Sequence, residues 1–437
     1  MFTMLHRNLP LPAALGLALA AAGMAQPAAP PLKLNLQQAI DRARQYGPVF
    51  LAANLAAASA HEDTVQAKAA LLPSVSGLSQ FIYTQPNGTL SGVFVSNDGP
   101  HVYNDQALVH ADIFAPAKRA DYRRAQAAEA VARAKADVAA RGLVAVVVQD
   151  YYTMAVAARK LANAQQALRE ARQFLDITGQ LERGGEAAHS DVIKAQIQTE
   201  QRQRDAEDAQ LAVDKARLAF AVLLFPDFRQ DFTVEDDLEN APPLPALPQA
   251  EEMAGRNNPD VRAAQAAVEQ QTHAVESARA AILPTLSFDY FLGINANRFA
   301  LHDVDNRNNF GPVAQAQVTV PLWTWGAARS RIRQAQIGVE QAKNDLSFTQ
   351  RQLLSTLQAF YREAQVAGEQ VASLKHSAEL SAESLRLTLL RYQAGEVTVL
   401  EVVDAQSTLT QARNARDDGL ARYRLALANL QTLTGAF

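Results

Sequence analysis

The hydrophobic positions of this chain follow two different periods. After Pro284, apolar residues alternate with mostly polar ones over the run from Leu286 to Ile294. A second alternating run follows Pro312 and ends near Leu322. A period of two predicts β-strands with one apolar face and one mostly polar face. The polar stretch between the two runs, residues 295–311, is predicted to be a loop.

The first half of the chain contains a similar pair of alternating runs. Strands are predicted from about Ser74 to Thr84 and from about Val102 to Phe114. About ten residues per strand fit a tilted membrane-spanning hairpin, although hairpins of a soluble sandwich have the same pattern. Four strands are too few to close a barrel, which needs about eight. If the strands lie in a membrane, several chains must therefore contribute to one barrel. In the predicted strand from Val102 to Phe114, one face is expected to carry Tyr103, Ala107, Val109, Ala111 and Ile113. The other face is expected to carry Gln106, His110 and Asp112.

Most of the remaining chain has helical periods of unusual length. From about Pro116 to Arg183, nearly 70 residues contain no internal proline. At about 1.5 Å per residue, such a helix reaches roughly 100 Å. A sustained seven-residue repeat indicates left-handed supercoiling, and the accompanying alanines predict closely packed helices. The apolar residues that recur every seven positions after the last strand are Ile332, Val339, Leu346, Leu353, Phe360, Ala367 and Leu374.

The chain contains an internal duplication. Residues 38–53 align with residues 249–264, and residues 69–76 align with residues 280–287, both at an offset of 211. A repeat of this length predicts a duplicated unit rather than a solenoid module. The proline-rich stretch from Ala241 to Pro248 is expected to be neither helix nor inner strand.

The start of the chain has the layout of a secretory signal peptide. His6 and Arg7 precede an apolar core from Leu11 to Ala22, and the small residues 23–25 follow as a cleavage site. Such a segment is too short to be a spanning helix. The predicted organisation is a signal peptide at 1–25, a first repeat at 34–225, a connector at 226–248 and a second repeat at 249–435.

Composition and motifs exclude several function classes. The formal net charge is −4, and the absence of cysteine removes disulfides and thiolate sites. No basic tract predicts nucleic-acid binding. The chain has no phosphate-binding, zinc-protease or serine-hydrolase motif, and its histidines lack metal-ligand spacing. We therefore expect neither an enzyme nor a cofactor.

Two related stretches interrupt the long helical patterns. They are "LERGGEAAHSDVIKAQ" (181–196) and "RYQAGEVTVLEVVDAQ" (391–406). Their glycines permit the positive φ angles of a tight turn. Glu401 and Asp404 then follow three positions apart, a spacing that an ordinary solvated helix face also explains.

The combination of these features resembles the TolC family of outer membrane efflux proteins over about Leu34 to Gly435. The stretches that are most similar begin with "LNLQQAIDRARQYGP" and "LRYQAGEVTVLEVVDAQ". The resemblance implies a mixed α/β membrane protein, mostly α, that forms a homotrimer. Four strands per chain would build one 12-stranded outer-membrane β-barrel, continuous with a long 12-helix periplasmic α-barrel. Such a protein is a passive duct in outer-membrane lipid, docked to a periplasmic adaptor protein and an inner-membrane pump or ABC translocase.

The resemblance also implies roles for residues of the two stretches. It places Glu401 and Asp404 in an acidic pore constriction, Asp191 at the corresponding first-half position, and Tyr392 in a latch between coiled coils. The best-known family member has an arginine in that latch where this chain has Val397, so the latch chemistry is expected to differ. The first copy is expected to serve more in packing and docking. The residues implied in tip turns and adaptor docking are Gly184, Gly185, Glu186, Gly395, Glu396 and Val397.

Two other function classes remain open at this point. A periplasmic coiled-coil adaptor should have one hairpin flanked by compact β-domains, whereas this chain has two hairpins and a duplication. A structural cell-envelope protein would not need alternating strands that end in paired helices.

Overall fold

The computed structural model describes residues 32–83 and 101–435. The predicted signal peptide at 1–25 and residues 84–100 of the first hairpin loop lie outside the described residues. The described part of the chain is mostly helical, with two long helices of 68 and 67 residues. The helices are α1 (Leu36–Tyr46), α2 (Pro48–Ala69), α3 (Pro116–Arg183), α4 (His189–Leu224), α5 (Leu247–Asn257), α6 (Pro259–Ala280), α7 (Ala327–Gln393) and α8 (Val399–Thr434). The strands are β1 (Leu32–Leu34), β2 (Ser74–Tyr83), β3 (His101–Phe114), β4 (Phe232–Val234), β5 (Thr285–Ala296) and β6 (Phe310–Thr319).

Four long strands form one antiparallel sheet in the order β2-β3-β5-β6. The register gives the two faces different chemistry. One row across the sheet is Val75, Val109, Tyr290 and Ala314, and the adjacent row is Ser74, His110, Asp289 and Gln315. The alternating pattern thus produces one apolar and one polar face. Among the described residues, β2 and β6 each pair on one side only.

The bounds of the second hairpin differ from those predicted. The last strand was expected to begin after Pro312, but β6 begins at Phe310 and includes this proline. Proline is compatible with β6 because β6 is an edge strand, where alternate N–H groups have no neighbour to bind. The strand also ends at Thr319, short of the predicted end near Leu322.

The connector prediction was wrong at its last two residues. Leu247 and Pro248, expected to be non-helical, form the start of α5. The first turn of a helix tolerates proline because its N–H groups have no partner within the helix.

The helices form two long hairpins, α3–α4 and α7–α8, that extend away from the sheet and pack against each other through α3 and α8. Nearer the sheet, α2 packs on α3, and α6 packs between α3 and α7. At about 1.5 Å per residue, the 68 residues of α3 span roughly 100 Å. Among the described residues, no helix is both long and apolar enough to cross a membrane.

The largest hydrophobic core lies partway along the hairpins, where α1, α3, α4 and α8 meet a small parallel sheet of β1 and β4. Tyr151 and Phe220 are nearly completely buried there and form an edge-to-face ring pair. The Tyr151 hydroxyl donates to the Glu235 carbonyl at 2.7 Å, and burial raises the pKa of this hydroxyl. We call this region the belt.

Candidate functional site: the tips of the two helical hairpins

Each hairpin ends, at the end away from the long sheet, in a turn with the same backbone. Gly185 has φ +79° and Gly395 has φ +76°. The Glu186 N–H donates to the Leu181 carbonyl at 2.8 Å, and the Glu396 N–H donates to the Arg391 carbonyl at 2.9 Å. A left-handed glycine with a hydrogen bond reaching five residues back is a Schellman-type helix end. The two tips therefore share one turn geometry.

Tyr392 joins the second hairpin to the first. Its side chain is 6% exposed, and its ring lies 5.1 Å from the ring of Phe174 in an edge-to-face arrangement. Its hydroxyl donates to Thr178 Oγ1 at 3.4 Å, and the Thr178 hydroxyl donates to the Phe174 carbonyl at 2.9 Å. This contact connects α7 to α3 between residues 214 apart. Sequence reasoning singled out Tyr392 but missed Phe174 and Thr178, because no local pattern reports a contact at this separation.

Apolar packing surrounds this contact. Val397, at the position where the resemblance implied an arginine, is partly buried and packs against the tip core. It therefore adds apolar contact where an arginine would add hydrogen bonds. The buried members of this core, which we call the tip cluster, are Phe174, Ala195, Leu385, Tyr392, Val399, Val402, Ala405 and Leu409.

The two acids of the second tip lie on the exposed face of the first turns of α8. Val402 is fully buried and Ala405 is 9% exposed on the opposite face. Glu401 Oε1 accepts the Thr398 N–H at 3.2 Å, which is the acid half of a capping box. The Thr-x-x-Glu spacing of Thr398 and Glu401 is a known sequence signal for a helix start, and it could have predicted where α8 begins. Asp404 is exposed and makes no ion pair with a described residue.

Two of the acids of the first tip, Glu182 and Asp191, have local partners. Asp191 Oδ1 lies 3.3 Å from Lys194 Nζ, and Glu182 Oε1 lies 2.7 Å from His189 Nδ1. Exposed pairs of this kind are worth less than about 1 kcal/mol, but Lys194 offsets the field of Asp191. Residues 391–406 carry a formal net charge of −2 and residues 181–196 carry −1, so the second tip is the more negative of the two.

Farther along the hairpins, a buried polar network ties α8 to α3 at the belt. Asp417 is fully buried and accepts from Arg159 Nη1 at 3.3 Å, Arg416 Nη2 at 3.0 Å and Asn163 Nδ2 at 2.8 Å. Burial disfavours the charged form of Arg159, but its hydrogen bonds and charge interactions with Asp236 and Asp417 together outweigh burial and raise its pKa. A buried carboxylate with several hydrogen-bond partners fixes the geometry around it. The second hairpin is thus held to α3 at two levels, the belt and the tip.

The sequence and fold agree with one family of proteins. Residues 39–224 and 252–436 match the family described as "Outer membrane efflux protein", one segment for each half of the chain. The chain belongs to the outer membrane efflux protein family. Its members are outer-membrane channels rather than enzymes, and the chain is accordingly assigned to the outer membrane. Membership in the outer membrane efflux protein family also sets aside the adaptor and structural-protein alternatives.

Relatives of this chain include a nodulation protein and a protease secretion protein. Nodulation protein T of Rhizobium leguminosarum bv. trifolii is 24% identical over 67% of this chain and 63% of its own length. The alkaline protease secretion protein AprF of Pseudomonas aeruginosa is 25% identical over 66% of this chain and 60% of its own length. The aligned part of the chain spans about three fifths of the length of these relatives.

A solved structure has the same fold. The CmeC outer membrane channel of Campylobacter jejuni superposes with a TM-score of 0.79 at 16% identity, covering 98% of this chain and 94% of CmeC. At 16% identity, this similarity shows that the chain has the same fold as CmeC, and it does not identify the cargo.

Proposed function

We propose that three copies of this chain form the exit duct of a tripartite efflux or type I secretion system. The duct conducts substrates passively from an inner-membrane pump across the periplasm and the outer membrane. Each chain contributes four strands to a 12-stranded barrel and four helical segments to a 12-helix tunnel.

The observation that carries the proposal is the open four-stranded sheet. Its two edge strands, β2 and β6, have unpaired sides among the described residues. Unpaired backbone groups are costly in lipid, so a sheet with an apolar face is stable there only when its edges pair with other copies. Trp323 and Trp325 follow β6 and are 73% and 89% exposed, as suits residues at a membrane interface.

The length and exposed surface of the hairpins support the tunnel. α3 is far longer than a single core requires, and the isolated chain exposes large apolar side chains along its helices. Neighbouring copies would bury these side chains. Examples on the two hairpins are Ile197, Val222, Phe348, Leu380 and Leu400, which are 57% to 62% exposed.

The second tip supplies the gate in this proposal. Three copies of the exposed Asp404 and of Glu401 would form an acidic constriction at the tunnel entrance, which favours cations. Asp191 contributes less because Lys194 lies beside it. Iris-like opening separates Tyr392 from Phe174 and Thr178 and moves the second hairpin away from α3.

The partners in the proposal are an adaptor at the tips and an inner-membrane pump or ABC translocase. The exposed turns around Gly184, Gly185 and Glu186, and around Gly395 and Glu396, form the docking surface, with Val397 packed beneath it.

Disulfide cross-linking tests the trimer. The chain has no cysteine, so double variants with one cysteine on each edge, Ser74 or Ser76 on β2 and Gln315 or Gln317 on β6, carry no background thiols. We expect oxidation to give covalent dimers and closed trimers on a non-reducing gel. The matched control pairs Gln315→Cys with Leu108→Cys on inner strand β3, which should remain monomeric. A scan of all four edge pairs that yields only monomers would contradict the assembly.

Single-channel recording in planar bilayers tests the constriction. Asp404→Asn should reduce cation preference, and combining it with Glu401→Gln should reduce it further. The control is Asp191→Asn, which we expect to change selectivity much less. Equal effects of Asp404→Asn and Asp191→Asn would reject the second tip as the selective one.

A further inference from the structure

A basic cavity lies where the two halves of the chain meet beside the belt. Its volume is about 340 Å³, and it opens between α1, α3, the α5–α6 junction and the end of α8. Four arginines line this cavity, but only one carboxylate, Asp137, does. The four arginines are Arg44, Arg141, Arg256 and Arg262.

Three of these arginines have a carboxylate partner. Their nitrogen–oxygen distances are 3.6 Å for Arg44 to Asp41, 2.8 Å for Arg256 to Glu252 and 3.0 Å for Arg262 to Asp137.

Arg141 differs from the other three. Its Nη2 donates to the Asn257 carbonyl at 3.2 Å, whereas its Nη1 is buried and has no hydrogen-bond partner among the described residues. Burial is the main cause that lowers the pKa of Arg141. The nearby carboxylates of Asp260 and Asp137 oppose this shift, and Arg262 adds to it. A buried guanidinium nitrogen without an acceptor costs free energy that an incoming anion would recover.

The local backbone leaves room beside this guanidinium. Gly435 has φ +75°, and a Cβ placed on it would lie 3.6 Å from Arg141 Nη2 and 3.0 Å from Asn257 Cβ. Glycine at this position therefore leaves the Nη2 side of the guanidinium uncovered by a side chain. The planar guanidinium fork matches carboxylate and phosphate oxygens.

We propose that this cavity binds an oxyanion, a phosphate or carboxylate group, through Nη1 of Arg141, with Arg262 and the other arginines supplying further positive charge. The bound anion bridges α1 and α3 of the first half to the α5–α6 junction and α8 of the second half. It thereby stabilises the belt, where the hairpins are anchored. This binding is independent of whether the chain conducts, so it succeeds or fails separately from the duct.

Isothermal titration calorimetry on the full, detergent-solubilised chain tests the proposal. Sodium phosphate and sodium acetate are titrated separately at constant ionic strength in chloride, so that the two arms distinguish the two oxyanion classes. We expect saturable binding of at least one, and Arg141→Gln should weaken it about tenfold, the equivalent of about 1.4 kcal/mol. The matched control is Arg351→Gln on α7, whose guanidinium contacts only its own helix backbone at Ser347, and which should bind like the wild type.

Two further variants keep the test decisive. If Arg141→Gln does not fold by circular dichroism, Arg262→Gln replaces it, since this residue also lines the cavity. Residues 436 and 437 follow Gly435 and lie outside the described residues, so a variant lacking them is titrated as well. Absence of binding to wild type, binding only after this truncation, or unchanged binding in the arginine variants would each overturn the proposal.

Thermal unfolding supplies an independent readout. A ligand that binds only the folded state raises its stability with concentration. At low concentration and constant ionic strength, where the general stabilising effect of kosmotropic salts is small, phosphate or acetate should raise the wild-type melting temperature more than chloride does. Arg141→Gln should abolish this difference. A shift that persists in Arg141→Gln would count against the cavity.

Discussion

The turns at Gly185 and Gly395 lie 210 residues apart and have φ angles within 3° of each other, yet the helices that leave them begin differently. α4 starts after Ala188 without a side-chain cap, whereas α8 starts after Thr398 with Glu401 bound to the cap backbone. The acid of the first tip, Asp191, is paired with Lys194, but Asp404 of the second has no ion-pair partner among the described residues.

This difference teaches what a duplicated unit keeps and what it changes. The turn itself requires a residue that tolerates positive φ, and glycine remains at both sites. The side chains around the turn can differ between the two tips because they do not alter the backbone path. Six of the eight buried residues in the tip cluster belong to the second hairpin, so this hairpin supplies most of the core that closes the tip.

The largest effect should come from Tyr392→Ala. Removing a buried aromatic side chain typically costs about 3–5 kcal/mol, and here the loss should appear as reduced amide hydrogen-exchange protection at the second tip. If the contact with α3 holds the gate, bilayer conductance should rise as well. In the first tip, Leu181→Ala should cost less, because Leu181 is only partly buried against the same cluster.

Tyr392→Phe separates packing from hydrogen bonding in this comparison. It keeps the contact with Phe174 and removes only the hydroxyl bond to Thr178, which should cost about 0.5–1.5 kcal/mol. A loss as large as that of Tyr392→Ala would contradict the apolar nature of the contact.

Gly185→Ala and Gly395→Ala test whether the two turns are equivalent. No atom lies within 4 Å of a Cβ added at either glycine, so only the left-handed backbone opposes the change. Each variant should lose about 1–2 kcal/mol of local stability, measured by hydrogen exchange at the adjacent helix ends. Unequal losses would show that one turn is supported by contacts that the other lacks.

Exchanging the helix starts should reverse the difference between α4 and α8. Thr398→Ala should destabilise the first turn of α8 by about 1 kcal/mol, and Ala188→Ser should stabilise that of α4 by a similar amount. Hydrogen exchange of the first-turn amides measures both changes. A neutral result for Ala188→Ser would mean that its side chain does not reach the helix N-terminus.

The smallest effect should come from Lys194→Gln, which leaves Asp191 without its partner. Stability should change by less than about 1 kcal/mol because the pair is exposed. In bilayers of assembled channels, however, cation preference should increase slightly as the first tip becomes more like the second. No change in cation preference would place Asp191 away from the conducting path.

Much of the fold could be predicted because its elements depend on near neighbours in the chain. The alternation around Ser74–Thr84 and Leu286–Ile294 and the proline-free run from Pro116 led to strands and a helix that the structure contains. The errors lie at prolines. Pro312 and Pro248 were taken as boundaries, but an edge strand and a first helical turn each accommodate this residue.

The sequence by itself determined the turns, the long helices, the two-faced strands and the pair of acids at the second tip, because each follows from spacings of two to seven residues. Only the tertiary structure decided which side chains meet across the halves. Tyr392 contacts Thr178 across 214 residues, and Arg141 shares a cavity with Arg262 and Gly435. Contacts of this kind depend on how whole helices pack, which no local period encodes.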